Sequence, residues 1–279
     1  MIISVLSGKG GTGKTTVATN LACSGPKTAY IDCDVEEPNG FLFLNPAIEQ
    51  REKVNVMVPS IDKDSCLACG QCSKWCQFNA LAQVKNNLLS FLQLCHGCGL
   101  CTLVCPEKAI SEVPREIGVI ERGKFNNNVF IHGVLKTGEP MAVPVIDRII
   151  EEIWKITADV VIIDCPPGTS CSVIAAVEKS DFCLLVTEPT PFGLHDLKIA
   201  VNLIRTLDIP AGVVVNKADD SSRIIRGYCE AEGIPILMEL PFSKRVAQIY
   251  STGKLLIQED MLLKQQFQDL MAKLEGVIS

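Results

Sequence analysis

Short apolar runs rich in β-branched residues recur along most of the chain and alternate with stretches whose apolar positions repeat every three or four residues. Residues 2–7, 28–32, 160–164, 182–187, 211–216 and 235–240 read as strands, and most are continuously apolar rather than alternating. A parallel sheet covered by helices on both faces needs apolar side chains on both sides of each strand, so continuity is its signature. Residues 14–23, 144–155, 194–207, 222–232 and 243–250 read as the helices between them. Strand and helix in alternation predict an α/β fold with a doubly wound, mostly parallel sheet. Near the end, Leu263, Phe267, Leu270, Met271 and Leu274 fall at helical spacing. The polar face there holds more acid than base, which favours a packed closing helix over a membrane-binding tail.

The alternation breaks between about Pro59 and Pro114, where the chain repeats itself at an offset of 29 residues. Cys66, Cys69, Gly70, Cys72, Cys76, Ala80 and Val84 recur as Cys95, Cys98, Gly99, Cys101, Cys105, Ala109 and Val113. Sheet-forming segments resume on the far side. Residues 59–113 therefore read as a small α+β insert, and residues 1–58 and 114–279 as one discontinuous main domain.

Composition sharpens this picture at two points. A net charge of −6 argues against nucleic acid or an anionic membrane as the main partner. The 14 cysteines would suggest disulfides in a secreted mini-protein, but this chain has 279 residues. Its apolar start runs straight into a glycine-rich loop, without a basic leader or cleavage site. No apolar run approaches the ~20 residues of a membrane span. The expectation is a protein of the reducing cytoplasm whose cysteines are metal ligands or small core residues.

The spacing Cys66-x2-Cys69-x2-Cys72-x3-Cys76, repeated as Cys95-x2-Cys98-x2-Cys101-x3-Cys105-Pro106, carries chemistry. Three cysteines at two-residue gaps wrap the chain round three irons of a 4Fe–4S cubane, and the fourth crosses to the other cluster. One cluster is then expected on Cys66, Cys69, Cys72 and Cys105, the second on Cys95, Cys98, Cys101 and Cys76. Structural zinc is the rival, but tetrahedral zinc needs only paired Cys-x2-Cys units, not a third cysteine two residues on. The stretch resembles bacterial two-cluster ferredoxins, departing from them at Gln77, where proline often follows the fourth cysteine. His96 reads as an exposed loop residue. Cys23, Cys33, Cys165, Cys171, Cys183 and Cys229 read chiefly as core residues.

Gly8-Lys9-Gly10-Gly11-Thr12-Gly13-Lys14-Thr15-Thr16 follows an expected strand and opens an expected helix, the context that the G-x-x-x-x-G-K-[ST] phosphate loop requires. Glycines let successive backbone N–H groups turn in around phosphate oxygens, and the helix N-terminus adds positive potential. Lys14 is expected on the β/γ-phosphates and the Thr15 hydroxyl on Mg²⁺. With its early lysine, this loop resembles that of the deviant Walker A group, which includes the MinD, ParA and nitrogenase iron-protein ATPases.

That resemblance implies roles for further residues. Lys9 would cross a nucleotide-sandwich homodimer to the partner's phosphates. Asp32 would lie near the metal, Asp34 would orient the attacking water, and Asp164, ending an apolar strand as in the Walker B arrangement, would hold Mg²⁺. Gly168 would sense the γ-phosphate through its backbone. Val215-Asn216-Lys217-Ala218-Asp219 formally matches N-K-x-D, a guanine-reading pattern, but the likeness to MinD-type ATPases implies ATP, with Asn216 against adenine and Pro241 and Phe242 walling the base pocket. No arginine finger is evident. The sequence thus points to a P-loop ATPase with an inserted ferredoxin-like domain. Three roles follow: gating electron transfer to a partner protein, assembling or carrying iron–sulfur or other metal centres, or acting as a positioning switch with structural clusters. The first is preferred.

Overall fold

The computed structural model describes residues 1–25 and 27–278. Its strands are β1 (Ile2–Leu6), β2 (Thr28–Asp32), β3 (Ala47–Ile61), β4 (Leu81–Val84), β5 (Asn87–Ser90), β6 (Ile110–Phe125), β7 (Asn128–Leu135), β8 (Val160–Asp164), β9 (Phe182–Thr187), β10 (Ala211–Ala218) and β11 (Ile236–Pro241). Among the described residues nine of them form one sheet in the order β11-β10-β9-β1-β8-β2-β7-β6-β3. Pairing is parallel from β11 to β7 and antiparallel at β7–β6 and β6–β3. The sheet is α/β and mostly parallel, as the continuous apolar runs imply.

The helices are α1 (Lys14–Ala22), α2 (Gly40–Leu44), α3 (Gln71–Trp75), α4 (Leu100–Leu103), α5 (Val143–Ile150), α6 (Cys171–Val177), α7 (Pro191–Thr206), α8 (Arg223–Glu232), α9 (Lys244–Ser251), α10 (Leu256–Glu259) and α11 (Met261–Ile278). Apolar layers cover both faces of the sheet. One joins alternate strand residues to α5, α6, α7 and α8, the other to α1, α10 and α11. Leu263, Phe267, Leu270, Met271 and Leu274 are all buried, so α11 is a packed helix. Among the described residues no helix is long and apolar enough to cross a membrane.

The six expected strands and five expected helices are present, three strands with the expected ends and the other elements with ends moved by at most three residues; the second half of the segment 144–155 is a 3-10 turn, Glu151–Lys155. Strands β3, β6 and β7 have no counterpart among the expected elements, for physical reasons. β3 is the sheet edge, and its first half exposes Glu49, Arg51 and Lys53, charges that discourage further strand pairing and erase the apolar signal. β7 is buried, but His132 and Gly133 interrupt its apolar run.

β3 and β6 pair from Ala47↔Lys124 out to Ile61↔Ile110, so positions 59 and 113 fall inside a two-stranded ribbon rather than in linkers. Beyond its end lie α3, α4 and the β4–β5 hairpin, with a separate small apolar cluster of Cys72, Leu81 and Ile110. The glycine-rich loop between β1 and α1 stands at the carboxyl ends of the parallel strands, where ligands of such sheets collect.

Candidate functional site

The glycine-rich loop leaves β1 and enters α1 through Gly13, whose φ of 91° is left-handed and whose absent side chain makes room for Asn216. The Asn216 amide donates to the Thr12 carbonyl at 2.7 Å, tying the end of β10 to the loop. Its own oxygen accepts from the Lys217 N–H at 2.9 Å. The Thr12 hydroxyl is buried without a hydrogen-bond partner among the described residues, an orphan that a phosphate oxygen would satisfy. The Gly168 N–H donates to the Ser7 carbonyl at 3.0 Å, which docks the segment after β8 against the loop.

Lys14 is buried and donates to Asp164 Oδ1 at 2.7 Å, with Asp34 Oδ2 3.8 Å away. Asp32 and Asp164 are a register pair at the ends of β2 and β8, and neither has any exposed surface. Backbone amides hold Asp32: the Asp34 N–H donates to Oδ1 at 3.1 Å and the Gly40 N–H to Oδ2 at 3.0 Å. Burial and the neighbouring Asp164 push Asp32 up to about 8, against the opposing pull of Lys14. Asp34 is pushed up to about 6, again by burial, with Lys14 opposing. Burial alone would depress Lys14, but the charge and hydrogen bond of Asp164, with Asp32 and Asp34 behind them, hold it above the ordinary lysine range. A cationic lysine thus sits among three carboxyls, beside the Thr15 that follows it in α1. This hard oxygen set suits Mg²⁺, which takes one or two carboxylates and keeps several waters.

Lys9 lies half-buried in the loop, and no ion pair involves its ammonium among the described residues. Asp219 does not stand free as a base reader: its carboxylate accepts from the Ser221 N–H at 2.8 Å and from the Ser221 hydroxyl, capping the turn after β10. Pro241 ends the neighbouring strand, the 72 % exposed Phe242 follows it, and the Phe242 N–H donates to the Ala218 carbonyl at 3.1 Å. Sequence reasoning missed Tyr30, whose hydroxyl donates to Asp164 Oδ2 at 2.8 Å. The available signal was a phenol two residues before Asp32, on the same face of the strand as that acid.

The cysteine runs line two separate small cavities. Cys66, Cys69, Cys72 and Cys105 line the first; Cys76, Cys95, Cys98 and Cys101 line the second. The last thiol of each run lies in the other run's cavity. Backbone N–H groups of Ala80, Gly97 and Ala109 donate to the sulfurs of Cys76, Cys95 and Cys105 at 3.3, 3.5 and 3.3 Å. Among the described residues no three His, Cys, Asp or Glu side chains are grouped to hold a single ion. His96 is exposed and stacks on Phe78, centroids 3.8 Å apart, at the rim of the second cavity. Of the other cysteines, Cys33, Cys165, Cys183 and Cys229 are buried, Cys23 is half-buried and Cys171 is exposed.

Hydrolysis of a nucleoside triphosphate asks a protein chiefly to position water and neutralise spreading charge. The carboxyl edge of this sheet supplies a phosphate loop, a buried lysine and strand-end carboxylates for that task, and fold and site together define a P-loop ATPase. Residues 3–257 match the CobQ/CobB/MinD/ParA nucleotide binding domain family, and the chain belongs to it. An uncharacterized protein of Methanocaldococcus jannaschii is 32 % identical over 91 % of this chain and 90 % of its own length. An iron-sulfur cluster carrier protein of Pyrococcus horikoshii is 25 % identical, with 98 % of this chain and 84 % of that protein aligned. Among solved structures, the cell division ATPase MinD of Pyrococcus furiosus superposes with a TM-score of 0.61 at 20 % identity, covering 99 % of this chain and 98 % of that one.

Proposed function

We propose that this ATPase is a Mg–ATP-dependent homodimeric switch that carries two 4Fe–4S clusters and couples its nucleotide state to electron transfer with a partner protein in the reducing cytoplasm. The observation that carries the cluster assignment is the sorting of eight thiols into two cavities of four, each completed by the last cysteine of the other run. A cubane gives each thiolate its own iron, so the four need not converge on one point as they would for zinc. The N–H···S bonds fit the same group, since amides that donate to cluster sulfurs stabilise added negative charge. Residues 59–113 are then a ferredoxin-like lobe on a main domain of residues 1–58 and 114–279. Bound clusters would supply one-electron storage.

In the nucleotide site, Lys14 leaves Asp164 for the β/γ-phosphates, and the loop amides and the Thr12 hydroxyl close around phosphate oxygens. Thr15, Asp32 and Asp164 would hold Mg²⁺, which when bound neutralises charge across the phosphates. Asp34 orients the attacking water, Gly168 follows the γ-phosphate once its N–H leaves the Ser7 carbonyl, and Lys9 reaches the nucleotide of the other copy. Asn216 retains a second amide hydrogen for adenine, with Pro241 and Phe242 beside it.

A second reading is that the protein assembles or carries iron–sulfur centres. The iron-sulfur cluster carrier relatives favour it. Against it, each cavity offers a full set of four thiols, and a fully ligated cluster resists release to an acceptor. Anaerobic purification with iron and sulfide analysis and electron paramagnetic resonance, with and without Mg–ATP, separates the two. Coupling is expected to give about eight irons per chain, a cluster signal that changes with nucleotide, and no cluster loss to an apo-acceptor. Ready transfer to the acceptor would favour the carrier reading. Protein holding zinc alone would end both.

A further inference from the structure

Tyr30 stands where the two buried carboxylates of the nucleotide site meet. It lies two residues before Asp32 on β2, so both side chains leave the same face of the sheet. The next strand, β8, sets Asp164 opposite Asp32. The phenol ring is fully buried and stacks on Phe130 of β7, with centroids 5.8 Å apart and planes 15° from parallel. Its hydroxyl donates to Asp164 Oδ2 at 2.8 Å and lies 3.4 Å from Asp32 Oδ2.

Each oxygen of Asp164 thus has one side-chain partner: Lys14 on Oδ1 and Tyr30 on Oδ2. When Lys14 swings away to the phosphates, the Tyr30 hydroxyl is the side-chain hydrogen bond that remains to this carboxylate among the described residues. The fold encloses the hydroxyl. A Cβ at Gly40 would come within 2.1 Å of it, so glycine there lets α2 lie directly over the phenol while its N–H donates to Asp32.

We propose that Tyr30 is a positioning residue for ATP hydrolysis. Its hydroxyl fixes the Asp164 carboxylate so that Oδ1, once freed by Lys14, faces the metal and its waters. The inference rests on the assignment of Asp164 to the metal shell. Tyr30 is fully buried and would act through Asp164 rather than on nucleotide or metal directly. Its effect is to stop a buried carboxylate from rotating when its lysine departs, and loss of such an orienting partner costs about 10-fold to 100-fold in metal affinity or activity.

Tyr30→Phe in the full chain keeps the ring and its stack on Phe130 and removes the hydroxyl alone. Mn²⁺ binding to the ADP complex is read by the resonance of free Mn²⁺, alongside ATPase rate against Mg²⁺, ADP affinity in chelator, and thermal unfolding. Expected is a loss of about 10-fold or more in Mn²⁺ affinity and a comparable fall in kcat, with metal-free ADP affinity and melting temperature nearly unchanged. Tyr30→Leu, which also empties the ring site, is expected to show the same Mn²⁺ loss at a lower melting temperature. Wild-type Mn²⁺ affinity and kcat in Tyr30→Phe would overturn the proposal, as would an equal loss of ADP affinity in chelator, the mark of a general collapse. Asp164→Asn tests the metal assignment separately: unchanged Mn²⁺ affinity there would remove the ground for Tyr30 as well.

Discussion

Lys14, Asp32, Asp34 and Asp164 share one water-poor space, and their mutual distances decide which of them carry charge. Lys14 keeps its proton because Asp164 is 2.7 Å away. Its stabilising effect is fully present below the ordinary lysine range and lost only as pH rises past it, so it does not vary near neutrality. Asp32 and Asp34 are opposite cases, pushed up to about 8 and about 6 chiefly by burial. Between about pH 4 and 8 the folded chain binds more protons at these two groups than the unfolded chain does, so stability falls as pH rises through that window. The carboxylates with lowered values, among them Glu52 and Glu152 in the ion-pair network with Arg122 and Arg148, lose their contribution only in more acid solution. Nucleotide-free protein in chelator is therefore expected to melt higher at pH 5.5 than at pH 8, and Asp32→Asn to flatten most of that slope. Calorimetry showing a flat or rising melting temperature for the wild type would contradict the reading.

The cysteine runs belong to the next scale, because each cavity is assembled from pieces of two elements. Gly70 and Gly99, in the left-handed region, open α3 and α4, and these short helices carry Cys72 and Cys101. The chain then turns back, so that Cys76 enters the second cavity and Cys105 the first. This crossing makes a specific demand on mutational coupling. Cys66→Ala and Cys105→Ala lie in different runs but in one cavity, so the double variant is expected to lose no more iron than either single one. Cys66→Ala with Cys76→Ala shares a run but spans both cavities, and is expected to lose nearly all of it. Iron analysis of these five proteins, wild type included, decides; coupling that follows the runs instead of the cavities would refute the crossed arrangement.

Across the whole molecule, one strand joins the cysteine cavities to the nucleotide site. Near its start β6 places Glu112 on the second cysteine cavity, and further along the same strand Glu121 meets His132 Nε2 at 2.8 Å. His132 stands in register with Asp32 on the adjoining strand, so the lobe and the nucleotide site share a continuous backbone ladder. The proposed dimer would give Lys9 its task. Lys9, which makes no ion pair among the described residues, is expected to matter only when two copies face each other. With ATPγS, light scattering is expected to show a dimer for the wild type and a monomer for Lys9→Ala. The variant's hydrolysis rate should fall by about 10-fold or more while its affinity for ADP holds. A Lys9→Ala dimer with full activity would exclude the trans role.

The sequence by itself determined the alternation of buried strands and helices, the phosphate loop and the grouping of eight cysteines. Each of these is local: continuous apolar runs, a glycine pattern between strand and helix, and a thiol spacing are properties of a few consecutive residues. Its limits were long-range. The edge strand β3 carries charges that mask its pairing with β6, and no local pattern reveals that residues 47 and 124 are neighbours. Tertiary structure alone decided that Asn216 ties itself to the loop, that Asp219 caps its own turn, and that Tyr30 closes over Asp164 from 134 residues away. Burial and partnership arise where distant segments meet, and these set the charge of Asp32 as firmly as its chemistry does.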